Sequence, residues 1–255
     1  MPEREIRVPT DAGEMTTFVA YPDGDGPYPV ALLYMDAIGY REQVRENARR
    51  FAAGGFYCAA PDLFHHFGEG LTFDMERIAA EGFDGPEGRR VMEVIGSLTP
   101  AMVEADTRAI LAAVESDPAA GAGAKVCVGY CMGARFSLHT AAALADEVVA
   151  AAGIHPGPLV TDAPDSPHHE LAGVRSELYI AFAEIDRAVT PELVERFRAE
   201  MERTGVRGVV ERVAGAAHGF AMADLPVYDR DACERHFERT LELWRRNATP
   251  EPTAA

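Results

Sequence analysis

The stretch KVCVGYCMGAR, residues 125–135, decides the fold. Its first half, KVCVGY (125–130), is a short apolar run of the kind that forms a strand covered on both faces. ARFSLHTAAALA follows at once and reads as a helix. Between them, Gly129-Tyr130-Cys131-Met132-Gly133 follows the pattern Gly-x-nucleophile-x-Gly, in the strand-to-helix context that a nucleophile elbow requires. Such a turn strains the backbone at the nucleophile, so the residues two positions away must be almost free of side chain. The helix that follows aims its N-terminal amides at the same point, which favours a thiolate and a developing oxyanion. A core cysteine fits the same five residues, and only the rest of the chain can supply the partners of a nucleophile.

Outward from this motif the chain alternates two periods. Strands are expected at 16–20, 30–35, 56–60, 125–130, 149–154, 177–183 and 209–213. Helical spacing lies between them. In PAMVEADTRAILAAVES, Val103, Ile110, Leu111 and Val114 share a face. In TPELVERFRAEMERTG, Thr190 suits the N-cap, Pro191 the first turn and Gly205 the exit. CERHFERTLELWRR makes a last helix, with Phe237, Leu241 and Trp244 inward. Strand alternating with helix predicts an open, mostly parallel α/β sheet with helices on both faces, as a single domain over 1–247 and a flexible tail at 248–255. PAAGAGA (118–124) reads as a short linker, and 65–98 as an irregular excursion above the sheet, where pockets are commonly built.

The formal net charge of −17 excludes the clustered Lys and Arg that nucleic acid or an anionic membrane surface needs. The opening MPEREIRVPTDAGEM carries charges and prolines where a signal peptide needs an apolar run, and no stretch approaches the roughly 20 apolar residues of a membrane span. Four cysteines (58, 127, 131 and 233) lack the spacing of a disulfide framework. A cytoplasmic setting with free thiols is expected. The pairs His65–His66 and His168–His169 invite a metal, but adjacent histidines are expected to point apart with no carboxylate to complete a site, so neither metal nor other cofactor is expected. Cys58 and Cys127 read as core, and Cys233 as a helix residue.

The elbow's partners should follow in the order acid, then histidine. Asp186 comes just past the strand at 177–183, and His218 in the loop after the strand at 209–213. Both are strand ends on the edge that carries Cys131. In that arrangement His218 takes the thiol proton and later protonates the leaving group, while Asp186 fixes its tautomer. His155, at another strand end on this edge, is a candidate to line the pocket.

GYCMG (129–133), PDL (61–63), EID (184–186) and AHGF (217–220) together resemble the dienelactone hydrolase family of α/β hydrolases, over about residues 15–245. The resemblance implies hydrolysis of an ester or lactone through a thioester, without metal or organic cofactor, with Cys131 as nucleophile, Asp186 as acid and His218 as base. It also implies a carboxylate after an early strand that holds the resting thiol. Here that position is Asp36, one methylene shorter than the family glutamate, so its reach to Cys131 stays open. The amides of Ala37 and Met132 would form the oxyanion hole. Family members that cleave dienelactones carry an arginine four positions after the triad histidine, and here that position is Met222. Arg89 and Arg90 are the counterparts considered for a second family arginine, and Phe220 of AHGF is counted with the pocket.

The expectation is a hydrolase, monomeric or else homodimeric, that acts on a small ester or lactone less anionic than a dienelactone. The alternative is a small-molecule binding or sensing protein that retains the fold without turnover. A nucleotide-binding domain is disfavoured, because the first strand-to-helix turns, MDAIGY and PDLFHH, lack a Gly-rich phosphate loop.

Overall fold

The computed structural model describes residues 1–248. Its strands are β1 (Glu3–Thr10), β2 (Gly13–Ala20), β3 (Tyr28–Tyr34), β4 (Tyr57–Pro61), β5 (Ala120–Tyr130), β6 (Val148–Ile154), β7 (Glu177–Ile185) and β8 (Gly208–Ala217). They form one sheet in the order β1-β2-β4-β3-β5-β6-β7-β8. Pairing is parallel from β4 across to β8, and antiparallel for β1 with β2 and β2 with β4. This is the mostly parallel α/β sheet expected from the alternating periods, in the α/β-hydrolase form that the family resemblance implies. β5 lies inside the sheet, and its last six residues are buried, as the apolar run requires.

Among the described residues, helices α1 (Glu42–Ala53), α2 (Met75–Glu81), α3 (Pro86–Ser97), α4 (Pro100–Val114), α5 (Met132–Ala143) and α6 (Pro191–Thr204) lie between the strands, and α7 (Arg230–Ala248) follows the last of them. α6 begins and ends on the residues its sequence indicates. The Thr190 side chain accepts from the Leu193 amide, and Gly205 closes the helix in the left-handed region at φ 73°. A cap of this kind contributes about 1 kcal/mol. α7 seals one face of the sheet through Trp244, which is fully buried with its ring 4.6 Å from Phe51 of α1 and 5.1 Å from Phe56. Truncating such a side chain to Ala costs about 3–5 kcal/mol.

Three expectations need correction. The charged start of the chain is a strand, β1, which among the described residues pairs only with β2, and of its eight residues only Val8 is buried. A solvated edge strand shows no apolar run, so its alternation of charges hid it. The stretch 118–124 is no linker, because β5 starts at Ala120, which pairs with Tyr28. The excursion 65–98 does rise beside the site but is largely helical, built from α2 and α3. Asp74 caps α2 by accepting from the Arg77 amide, and Pro86 opens α3. The tail expected at 248–255 lies outside the described residues except for Ala248, the last residue of α7.

Candidate active site

Four consecutive parallel strands deliver one residue each to the same edge of the sheet. Cys131 follows β5, His155 follows β6, Asp186 follows β7 and His218 follows β8. Cys131 sits at φ 52°, ψ −111°, between the end of β5 and the first residue of α5. Its amide donates to Ile154 O at 3.0 Å, which ties the turn to β6. The two glycines are required by close approach. A Cβ on Gly129 would lie 1.9 Å from Gly133 O, and one on Gly133 would lie 2.4 Å from Tyr34 O. The cost of holding a non-glycine residue at positive φ is met by these contacts on both sides.

Sγ of Cys131 lies 3.0 Å from His218 Nε2, and His218 Nδ1 lies 2.7 Å from Asp186 Oδ2. Since the carboxylate accepts, Nδ1 carries the proton and Nε2 faces the sulfur. Asp186 is held in turn by the Ala188 amide, which donates to Oδ1 at 2.8 Å. Burial opposes a charge on His218, but the Cys131 sulfur and the Asp186 carboxylate outweigh it and raise the imidazole to about 10. Burial pushes Asp186 up, yet its hydrogen bonds from His218 and nearby amides hold it below the usual carboxylate range. Cys127, four residues earlier on β5, shows the opposite case. It is fully buried, and burial lifts its thiol to about 12 despite a hydrogen bond with Ser137.

His155 is buried beneath this group at φ 38°, with its ring edge-on to His218, centroids 5.3 Å apart. Burial, with the charges of His218 and His236, holds it well below the ordinary imidazole range, so it stays neutral against the His218 imidazolium.

The other expected site residues divide. Ala37 lines the cavity with Cys131, and Met132 opens α5 directly behind the sulfur. Asp36 also lines the cavity, but its carboxylate is directed elsewhere. Arg41 donates to both oxygens, Nη1 to Oδ1 at 2.6 Å and Nη2 to Oδ2 at 3.0 Å, and the Ile38 amide donates to Oδ1 at 3.1 Å. The thiol-holding contact is therefore replaced by an ion pair within the β3–α1 turn. Met222 is buried in the core, where it accepts from Asn47 Nδ2 at 3.7 Å, and does not face the cavity. Phe220 is buried too, packed on His155 and His236. Arg89 and Arg90 lie on the outer side of α3. Arg89 bonds to Asp84 O, while Arg90 bonds to Glu87 and sits over the Phe73 ring. Helical periodicity turns both outward, away from Val91, which faces the cavity.

Sequence reasoning missed Arg41. Beyond Asp36 it grips Asp224, with Nε to Oδ2 at 2.6 Å and Nη2 to Oδ1 at 3.1 Å. Burial opposes its charge, and the two carboxylates hold it firmly protonated. No sequence signal joins residues 183 positions apart. The cavity in front of Cys131 and His218 measures about 640 Å³, with Ile38, Ile78, Phe83, Val91, Leu225 and Val227 as its apolar walls. Two of these, Phe83 and Val227, remain exposed at the rim.

The histidine pairs hold a further correction. His65 and His66 do not point apart. They occupy a 3-10 turn (Leu63–Phe67), their rings lie 4.0 Å apart, and both Nε2 atoms approach Asp106 of α4. His168 and His169 lie elsewhere, bonded to Ser166 and to Pro164 O.

A sequence profile of the Dienelactone hydrolase family matches residues 15–247. The chain belongs to the dienelactone hydrolase family. As a member it is a hydrolase with the α/β-hydrolase fold. This dienelactone hydrolase homologue is 22% identical, over 246 residues, to a protein of Methylorubrum extorquens named by inference a carboxymethylenebutenolidase, covering 94% of this chain and 80% of that one. A solved Klebsiella pneumoniae structure, also named by inference a dienelactone hydrolase, superposes with a TM-score of 0.82 at 18% identity, over 95% of this chain and 98% of that one. A dienelactone hydrolase-like promiscuous phosphotriesterase from metagenomic libraries superposes with a TM-score of 0.77 at 22% identity, over 97% and 98%. At these identities the structural likenesses speak for the fold alone. No described helix is long and apolar enough to cross a membrane.

Proposed function

We propose that this dienelactone hydrolase family member cleaves a neutral, largely apolar carboxylic ester or lactone through a thioester on Cys131. The observation that carries the reading is the unbroken line Cys131 Sγ to His218 Nε2 (3.0 Å) and His218 Nδ1 to Asp186 Oδ2 (2.7 Å), opening on an apolar cavity. The Cys131 sulfur attacks the substrate carbonyl, leaving its proton on His218 Nε2. The carbonyl oxygen gains the negative charge beside the Met132 and Ala37 amides. As the carbon–oxygen bond breaks, His218 gives that proton to the departing alkoxide, and the acyl group remains on sulfur. Water then loses a proton to His218, attacks the thioester and releases the acid and the thiol. Asp186 supports the imidazolium throughout.

Substrate class follows from charge. Arg41 is the cavity's arginine among the described residues, and its guanidinium already meets two carboxylates, Asp36 and Asp224, a cluster of formal charge −1. Glu76 adds a further acid to the lining. An anionic ligand finds no free cation there, and losing a charge-assisted clamp disfavours it by about 1.5–3 kcal/mol.

The test is a panel of p-nitrophenyl esters and lactones, with one neutral phosphotriester as an added arm, followed by intact-mass spectrometry. The proposal requires turnover of neutral acyl substrates and an acyl adduct on wild-type protein that is missing from Cys131→Ala. Equal residual rates in the two proteins would sink it, and so would ligand-induced stabilisation without product.

A further inference from the structure

A second cluster of chemically capable side chains lies outside the catalytic cavity, where the 3-10 turn 63–67 meets α4. His66 Nε2 is 2.8 Å from Asp106 Oδ2, and His65 Nε2 is 3.5 Å from Asp106 Oδ1. The ligating atoms of all three residues fall within 4.8 Å of one another. Their side chains are almost fully enclosed, at 5% exposure for His65, 10% for His66 and 2% for Asp106.

Hydrogen-bond accounting shows what is unusual. His65 Nδ1 is 3.0 Å from Asp62 O, a carbonyl that can only accept, so Nδ1 carries a proton. In the neutral ring that leaves a lone pair on Nε2, facing Asp106 Oδ1. The other neighbour of Nε2 is Thr10 Oγ1 at 3.2 Å, but this hydroxyl makes its shorter contact, 2.8 Å, with Gly13 O. Its single proton is used there. A ring nitrogen lone pair thus looks at two oxygens with no hydrogen between them, an arrangement that a shared cation satisfies. The outer contact has the form that orients a metal-binding histidine, with the far ring N–H donated to a backbone carbonyl.

We propose that His65, His66 and Asp106 form a divalent transition-metal site, suited to Zn²⁺, which clamps the two ends of the α2–α3 excursion. Two imidazoles and one carboxylate are a common three-residue set for zinc, with a solvent molecule as fourth ligand. Ligands about 2.0–2.1 Å from a tetrahedral metal lie about 3.3–3.5 Å from each other. The two contacts with Asp106 are 2.8 and 3.5 Å and all three ligand atoms fall within 4.8 Å, so binding draws the side chains together without rebuilding the corner. A second cavity, of about 670 Å³, is lined by His66 and Asp106 beside Thr10, Asp11 and Met102, and offers room for a solvent ligand. Metal entry therefore needs no opening of the core. On binding, the Nε2 proton of His66 passes by way of solvent to its own Nδ1, leaving a neutral ring whose Nε2 lone pair takes the metal. The two histidines stand before α2, and Asp106 stands after α3. Between them, Glu76, Ile78, Phe83 and Val91 reach the catalytic cavity. Occupancy of the clamp steadies the walls of that cavity without touching Cys131.

The experiment uses the full chain, treated with chelator and carrying Cys131→Ser so that the catalytic thiol cannot bind metal. Titration with Co²⁺ is expected to produce the visible d–d bands of a four-coordinate ion without a thiolate charge-transfer band. Zn²⁺ is expected to raise the melting temperature by several degrees and to slow amide exchange across 75–97. His65→Gln and Asp106→Asn should each remove both the bands and the shift. His66→Gln, which keeps a donor for Asp106, serves as the metal-blind variant if Asp106→Asn does not fold by circular dichroism. Absence of the Co²⁺ bands overturns the proposal. An equal Zn²⁺ shift in parent and His65→Gln also overturns it, since the metal would then bind elsewhere.

Discussion

Two histidine–carboxylate pairs in this protein have nearly the same geometry and different surroundings. His218 and Asp186 meet at 2.7 Å, His66 and Asp106 at 2.8 Å. The first pair ends on a sulfur raised on a strained turn, facing an apolar cavity. The second ends on another histidine, inside a buried corner between a 3-10 turn and a helix. The short contact is therefore no mark of catalysis. What separates the pairs is the third partner, the Cys131 sulfur in one case and the His65 ring in the other.

The sharpest way to break the comparison is to remove the sulfur and each carboxylate in turn. Cys131→Ala should lower kcat/KM for a neutral p-nitrophenyl ester by about 10⁴-fold or more, about 5.5 kcal/mol of barrier. Asp186→Asn keeps the shape but frees the His218 tautomer, and should cost about 10³–10⁴-fold, read in the same assay. In the second pair, Asp106→Ala strips the buried His66 imidazole of its acceptor. Chemical denaturation should show a loss of about 2 kcal/mol of stability, the cost of buried polar groups left unpaired. If Asp186→Asn proved harmless to turnover, the contrast between the pairs would collapse.

Titration sharpens it further. The folded value of His218, about 10, lies above the ordinary imidazole value of 6.5. A raised value means that its contribution to stability is full below about 6.5 and is lost as pH rises toward 10. Histidine ¹⁵N spectra should show His218 still protonated at pH 8 in the wild type. In Cys131→Ala the sulfur's charge is gone, and the transition should move to lower pH. An unchanged midpoint would mean that Asp186 alone holds the proton.

Much of this was readable along the chain. The elbow, Asp186 and His218 lie at the carboxyl ends of consecutive parallel strands, and strand ends can be counted from the alternation of apolar runs and helical spacing. The order acid then histidine needs no knowledge of distances. The elements that escaped notice, β1 and the helices α2 and α3, are solvated and carry charge where the buried strands carry apolar side chains. Burial writes the pattern that sequence reading uses, so lightly buried elements leave a weaker one.

Side-chain partnership belongs to a different class of question. Asp36 was one methylene short of its expected partner, and the fold gave it Arg41, which also reaches Asp224. Met222 stands four positions after His218, yet the turn at 218–222 buries it against Asn47. His65 and His66 converge on Asp106, about forty residues along the chain. For the sequence alone, local rules of periodicity and turn chemistry placed the motifs at successive strand ends and set Cys131, Asp186 and His218 apart as candidates. Only the tertiary structure decided which charges meet, which side chains line the cavity and where a metal would be held, because those contacts depend on ångström-scale distances between segments that share no local rule.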